Sequence, residues 1–174
     1  MNRREILKNL VLGSGAVVAL PSWANGWSAN SIEFSDVFTK NQSSTIKSIV
    51  GTFIPEGKTE PGAIGLEVDK FIDKLIADCY EKEDQDKVEA GIQALNESSQ
   101  STYKKSFELC TQGQRESLLM GFLEPSDENK KWFYNIMRRE TIRGYTSSEY
   151  VMVNHYNYVM APGFYKGCVD VAEV

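Results

Sequence analysis

From Val68 the apolar residues Val68, Phe71, Ile72, Leu75, Ile76 and Cys79 return every three or four positions. That spacing places all six on one side of an α-helix but scatters them over both faces of a strand. A chain carrying such a stripe must bury it against other elements, and the same period recurs upstream in Ile46, Ile49, Val50 and Phe53. Ser43 and Ser44 stand before that first run and can accept bonds from the free N–H groups of a helix start. Pro55 ends it near Ile54, because the residue before a proline avoids helical geometry. The intervening "PEGKTEPGAIG" reads as a loop.

Further along, Val88, Ile92 and Leu95 predict a third helix that gives way at the polar run "NESSQST". Tyr103, Phe107 and Leu109 predict a short fourth. Thr111 caps a segment burying Leu118, Leu119, Phe122 and Leu123, and Asp127 opens a long one through Trp132, Phe133, Ile136, Met137 and Ile142. No strand alternation, repeat or heptad is sustained. The expected fold is all-α, a single bundle of five or six helices over residues 43–143, preceded by an extended leader at 25–42. Cys79, on the inward stripe, is expected to be a buried, inert thiol.

The first 24 residues follow different rules. Arg3 and Arg4 supply a positive start, Val11 to Leu20 an apolar stretch, and Ser22-Trp23-Ala24 a small-x-small cleavage site, with cutting expected after Ala24. Arg3-Arg4-Glu5-Ile6-Leu7-Lys8 matches the twin-arginine export pattern in its arginine pair, its large apolar residue, Leu7 and Lys8, with Asn2 in place of the usual Ser or Thr. The competing reading is an ordinary secretory signal that happens to contain Arg-Arg. The apolar run, diluted by Gly13, Ser14 and Gly15, falls short of the roughly 20 residues a spanning helix needs. The expected location is therefore the periplasm.

The whole chain carries 19 basic and 24 acidic residues, and the leader holds three basic and one acidic, leaving 16 against 23 and a net charge of -7. Such acidity argues against a nucleic-acid partner. About 150 residues remain after cleavage, enough for one domain with one core. Cys79, Cys110 and Cys168 are an odd number, which in an oxidising compartment leaves at least one thiol without an internal partner. With His155 the only histidine and no Cys-x-x-Cys, the chain is not expected to build a metal, haem or iron–sulfur site. His155 reads as structural or as part of a contact surface. No Gly-x-Ser-x-Gly, Gly-x-Gly-x-x-Gly or Gly-x-x-x-x-Gly-Lys occurs, and Glu81, Glu83, Asp84 and Asp86 read as a solvated charged patch in a hydrophilic linker. No catalytic residue is assigned.

From Gly144 the chain changes character. Five of the eight tyrosines, Tyr145, Tyr150, Tyr156, Tyr158 and Tyr165, fall in the last 31 residues, where Pro162, Gly163 and Gly167 break any long helix. An irregular, aromatic-rich tail is expected over 144–174. About half of these rings should pack on the chain's own bundle. The rest suit a surface that meets a partner, since tyrosine buries a ring while its hydroxyl keeps a hydrogen bond.

Three stretches together resemble the small subunit, or subunit 3, of gluconate 2-dehydrogenase and related periplasmic flavin-dependent sugar dehydrogenases. They are the leader, residues 53–80 "FIPEGKTEPGAIGLEVDKFIDKLIADCY", and the tail elements "IRGYTSSEY" and "MAPGFYKGC"; residues 81–130 contribute little. The resemblance implies a non-catalytic helper that binds no cofactor itself. Its implied partner is a signal-less catalytic subunit of the glucose-methanol-choline class holding FAD, often with a haem-bearing cytochrome c subunit. Together they would pass through the twin-arginine translocase. It further implies a partner interface including Tyr145, Tyr150, Tyr156, Tyr158, Pro162, Gly163, Tyr165, Gly167 and Cys168, with Cys168 bonded to the catalytic subunit. A bond from Cys168 to Cys110, or a free buried thiol, is the competing reading. A stand-alone periplasmic helical ligand-binding protein and an enzyme in its own right are the rival functions.

Overall fold

A computed structural model describes residues 34–123, 127–159 and 163. Among the described residues there are six α-helices and no strand: α1 (Lys40–Phe53), α2 (Val68–Cys79), α3 (Lys82–Tyr103), α4 (Gln112–Gly121), α5 (Glu128–Thr146) and α6 (Glu149–Asn154), with a 3₁₀ turn at Phe107–Leu109 between α3 and α4. The all-α bundle expected from the apolar period is the fold observed. α1 and α5 are its central members: α1 packs against α2, α3, α4 and α5, and α5 against α1, α2, α3 and α6. Ile46, Ile49, Ile72, Ile76, Leu95, Phe107, Phe133 and Met137 meet in the middle with no exposed surface.

Several boundaries depart from expectation for identifiable reasons. α1 begins at Lys40, inside the stretch expected as extended leader, because Thr39 forms the cap: its backbone N–H donates to Gln42 Oε1 (2.8 Å) and its hydroxyl accepts from Gln42 N (3.4 Å). Ser43 is not a cap. Its hydroxyl is buried and donates across the helix pair to Asp73 Oδ2 at 3.0 Å, while Ser44 donates to Glu108. α3 starts at Lys82, so Glu83, Asp84 and Asp86 lie on a helix rather than in a linker, where Lys82–Asp86 (2.9 Å), Lys87–Glu83 (2.8 Å) and Lys87–Asp84 (3.2 Å) pair them. Acids in a first turn complement the partial positive charge of a helix start.

At its other end α3 runs through the serine-rich segment without a break. Ser98, Ser99 and Ser101 each donate to a carbonyl, of Ala94 (2.8 Å), Lys105 (2.8 Å) and Ser98 (2.9 Å), and Ser99 is small enough to be fully buried. Hydroxyls of a kind that compete with the backbone are thereby satisfied beside it. The expected fourth helix shrinks to the 3₁₀ turn, with Phe107 buried and Leu109 turned outward. Thr111 and Asp127 do stand at the starts of α4 and α5, as their positions predict.

Cys79 is exposed, contrary to expectation. The buried face of α2 consists of Val68, Asp69, Ile72, Asp73 and Ile76, rotated toward the two aspartates relative to the purely apolar stripe. Asp73 draws that face inward by accepting from Ser35 N (2.6 Å) as well as from Ser43. Phe71 and Leu75 are left half-buried, and Cys79, the last residue of the helix, faces solvent.

Gly144 is also not the start of irregular chain. It sits within α5, where a Cβ would lie 2.7 Å from Phe71 and 2.8 Å from Val68, so its lack of a side chain sets how closely α5 approaches α2. α6 follows, capped by Ser148, and the chain from Gly144 to Asn154 is helical apart from the short turn between the two helices.

Because Ile72 is fully buried, Ile72→Ala should cost about 2–5 kcal/mol through lost transfer energy and the cavity left behind. Urea unfolding of the purified chain measures it, with an unchanged denaturant slope expected.

Candidate interaction surface

The loop between α1 and α2 is held by one side chain. Glu56 accepts from Gly62 N through Oε2 (2.7 Å) and from Gly65 N through Oε1 (2.9 Å), closing the Pro-rich segment on itself. Ala63 N to Ile54 O (3.0 Å) and Gly57 N to Glu60 O (3.0 Å) complete the fold of the loop. A Cβ on Gly62 would come within 2.6 Å of Glu56 N and 2.7 Å of Pro55 C, and backbone cannot move aside as a side chain can. Only glycine fits there.

This loop receives the end of the bundle. Tyr145 donates to Pro61 O (3.1 Å), Tyr150 donates to Glu60 Oε2 (2.7 Å), and His155 Nε2 lies 3.3 Å from the same oxygen, its ring edge-on to that of Tyr150 with centroids 6.1 Å apart. Two of the segments that carry the family resemblance thus meet as one structure, residues 55–67 against 144–150, with His155 of the following stretch joining them. The hydroxyl bond from Tyr150 holds the Glu60 carboxyl below the usual carboxylate range, and the proximity of His155 acts in the same direction. The same bond raises the Tyr150 phenol.

Beyond α6 the chain turns back on that helix, with Tyr156 N and Tyr158 N donating to Val151 O (3.3 Å) and Met152 O (2.9 Å), and Asn157 adopting a positive φ of 51°. Val153 near the end of α6 and Tyr156, Tyr158 and Val159 beyond it face solvent, Tyr156 at 63% exposure. Of the tyrosines expected at an interface, Tyr145 and Tyr150 commit their hydroxyls within the chain, and Tyr156 and Tyr158 are open. Gly163 has a φ of 70°. Arg3, Arg4, Leu7, Lys8, Ala24, Pro162, Tyr165, Gly167 and Cys168 lie outside the described residues. Cys110 is buried, with Ser99 Oγ 3.2 Å from its sulfur.

A second polar cluster has no counterpart in the sequence reading. Glu140 is 2% exposed; its Oε1 accepts from Tyr80 Oη (3.0 Å) and Arg139 Nε (2.8 Å), and its Oε2 from Arg143 Nη1 (3.4 Å). Arg139 Nη2 also donates to Tyr80 Oη at 3.0 Å. Burial pushes the Glu140 carboxyl up, but the bonds from Arg139 and Tyr80 and the charges of both arginines outweigh it, leaving the group below its ordinary value. Its position was legible: Phe133, Met137, Glu140 and Gly144 fall on one inward stripe of α5, and a carboxylate there requires partners. Among the described residues no group of three potential metal ligands occurs, and no helix is long and apolar enough to cross a membrane.

These features define a small helical module whose polar side chains are spent on shaping its own surface. A family model described as gluconate 2-dehydrogenase subunit 3 matches residues 40–163, and the chain belongs to that family. The family is one of small subunits in multi-subunit dehydrogenases. No curated protein and no solved structure matches the chain.

The contribution of Glu60 to the loop–tail contact requires its ionised form. With a lowered folded-state pKa, that contribution is complete above the ordinary carboxylate range and is lost as pH falls through the lower folded value. The protection of the amides of Val151 to Asn154 against hydrogen exchange, taken relative to the intrinsic exchange rate at each pH, should therefore fall on acidification. Glu60→Gln should show lower protection at neutral pH and lose that acid-dependent step.

Proposed function

We propose that this chain is the non-catalytic small subunit of a periplasmic, FAD-dependent sugar or sugar-acid dehydrogenase. In this reading it escorts a signal-less catalytic subunit of the glucose-methanol-choline class through twin-arginine export and supports its maturation. Membership of the subunit 3 family carries the reading. The Arg3-Arg4 leader supports the export part, because a folded, cofactor-loaded partner without its own signal needs another chain's address to leave the cytoplasm. The outward Tyr156 and Tyr158 support the docking part, since their rings can bury area while their hydroxyls remain paired. FAD then belongs to the catalytic subunit, and a cytochrome c subunit with its haem is the fitting electron acceptor.

Replacing Arg3 and Arg4 together by lysine keeps the charge and removes the pair the pathway reads. Fractionation of the native host should then show the flavoprotein retained in the cytoplasm and periplasmic sugar-dependent dye reduction lost. Recovery of active periplasmic flavoenzyme in normal yield would overturn the escort role.

Cys168 extends the same proposal, as a disulfide to the catalytic subunit. A non-reducing gel of the purified complex should show one band at the summed mass that splits on reduction and is missing in Cys168→Ser. An identical pattern with and without reductant rules the bond out.

A further inference from the structure

We propose that the surface around Tyr80, where the arginines of α5 stand beside the acidic start of α3, is a two-fold contact with a second copy of this chain. This goes beyond the small-subunit reading and stands without it. Arg138, Arg139, Ile142 and Arg143 recur at one-, three- and four-residue steps, so they share one side of α5, and all four are exposed. Among the described residues Glu140 is the only carboxylate paired with these arginines, so three basic groups against one acid leave two positive charges.

Between Asp78 and Glu89 the sign reverses. Six acids, Asp78, Glu81, Glu83, Asp84, Asp86 and Glu89, stand against two bases, Lys82 and Lys87, and leave four negative charges. Lys82 pairs with Asp86, and Lys87 with Glu83 and Asp84. Glu81 is exposed and makes neither a cap bond nor an ion pair among the described residues.

The two patches are fixed relative to each other. Tyr80 closes α2, and its hydroxyl lies 3.0 Å from both Arg139 Nη2 and Glu140 Oε1. Gln85, in the first turn of α3, donates through Nε2 to the carbonyls of Ile76 (3.2 Å), Ala77 (3.1 Å) and Tyr80 (3.0 Å), tying the start of α3 to the end of α2. Basic and acidic groups thus flank one junction, yet among the described residues no ion pair joins them within a chain. Arginines held by Glu140 and Tyr80 keep N–H groups for a further carboxylate and lose less freedom on meeting one.

Neighbouring patches of opposite sign are self-complementary. Turned by half a revolution about an axis through the junction, a second copy lays its acids over the first copy's arginines and its arginines over the first copy's acids, so each favourable contact forms twice. A partner of one charge sign matches one patch and is repelled by the other. Ile142, 43% exposed, and the half-buried Tyr80 add apolar area, and the exposed Cys79, next to Tyr80 in the chain, falls beside the axis.

Sedimentation equilibrium of the purified chain should show a dimer that weakens with salt. The test variants are Arg138→Glu and Glu81→Lys, since neither residue touches Glu140, and a thermal melt of each checks that the fold is retained. Where a reversal lowers the melt, Arg138→Gln and Glu81→Gln repeat the test with a smaller change. Each reversal should weaken dimerisation about tenfold at low salt, with the difference narrowing near about 0.5 M salt as the charges are screened. In an equal mixture, native mass spectrometry should find the two reversal variants paired with each other more often than a random distribution gives. One copy keeps its arginines and the other its acids, and the mixed dimer brings those two patches together; a damaged fold produces no such preference. On a Cys168→Ser background a short bismaleimide should join two copies through Cys79, Cys110 being buried, and Cys79→Ser should abolish the cross-link. A chain that stays monomeric throughout the micromolar range, a dimer indifferent to the substitutions, or oligomers that grow beyond two as an open head-to-tail contact does, would each overturn the proposal. None of these results touches flavoprotein binding. Failure to recover a flavoprotein with the chain from its native host counts against the small-subunit reading alone.

Discussion

The carboxylate of Glu56 closes the loop on which the rest of the functional end is assembled. By holding the N–H groups of Gly62 and Gly65 it fixes where the chain leaves α1 and where α2 begins. Glu67, the residue before α2, is forced to a φ of 56°, a cost accepted by a non-glycine residue only when its surroundings determine it. The closed loop in turn offers the Pro61 carbonyl and the Glu60 carboxylate to Tyr145 and Tyr150. The placement of α6, and of the exposed turn after it, follows from these contacts.

Charge is managed differently in the core and at the surface. Asp73 is fully buried and satisfied by a backbone N–H and a serine hydroxyl, whereas Glu140, nearly as buried, is satisfied mainly by arginines that remain exposed. Neutral donors leave a closed joint between α1 and α2. Charged donors leave a surface that still carries positive charge, because a guanidinium paired on one edge retains N–H groups on the others. Two inward acids of similar burial thus have opposite consequences for what the surface above them can bind.

Helices were legible in the sequence wherever apolar period and burial coincide, as in α1, α4 and α5. They were misjudged where polar side chains do the packing. Ser43 reads as a cap from its position before an apolar run, yet its hydroxyl is used by Asp73 on another helix. That partner cannot be found from local spacing. Ser99 reads as loop by composition, and becomes helix interior because the carbonyl of Lys105 takes its hydroxyl. Cys79 followed the apolar stripe of α2, but the face that is buried is the one bearing Asp69 and Asp73. Gly144 reads as the end of the bundle but is a point of close approach between α5 and the side chains of α2. In each case a long-range polar bond or a steric gap outranked the local pattern.

The two resemblance-bearing segments within the described residues prove to be neighbours in space, and this bears on what such motifs mean. A Pro-Glu turn, a Pro-Gly-Ala step and a Gly-Tyr-Thr-Ser stretch could each have marked a catalytic loop. Here Glu56, Gly62, Gly144 and Tyr145 are engaged with one another's segments or with the bundle, and none points an unpaired reactive group into a shared cleft. The motifs therefore describe a framework. Tyr156 and Tyr158, which face outward, lie outside those motifs.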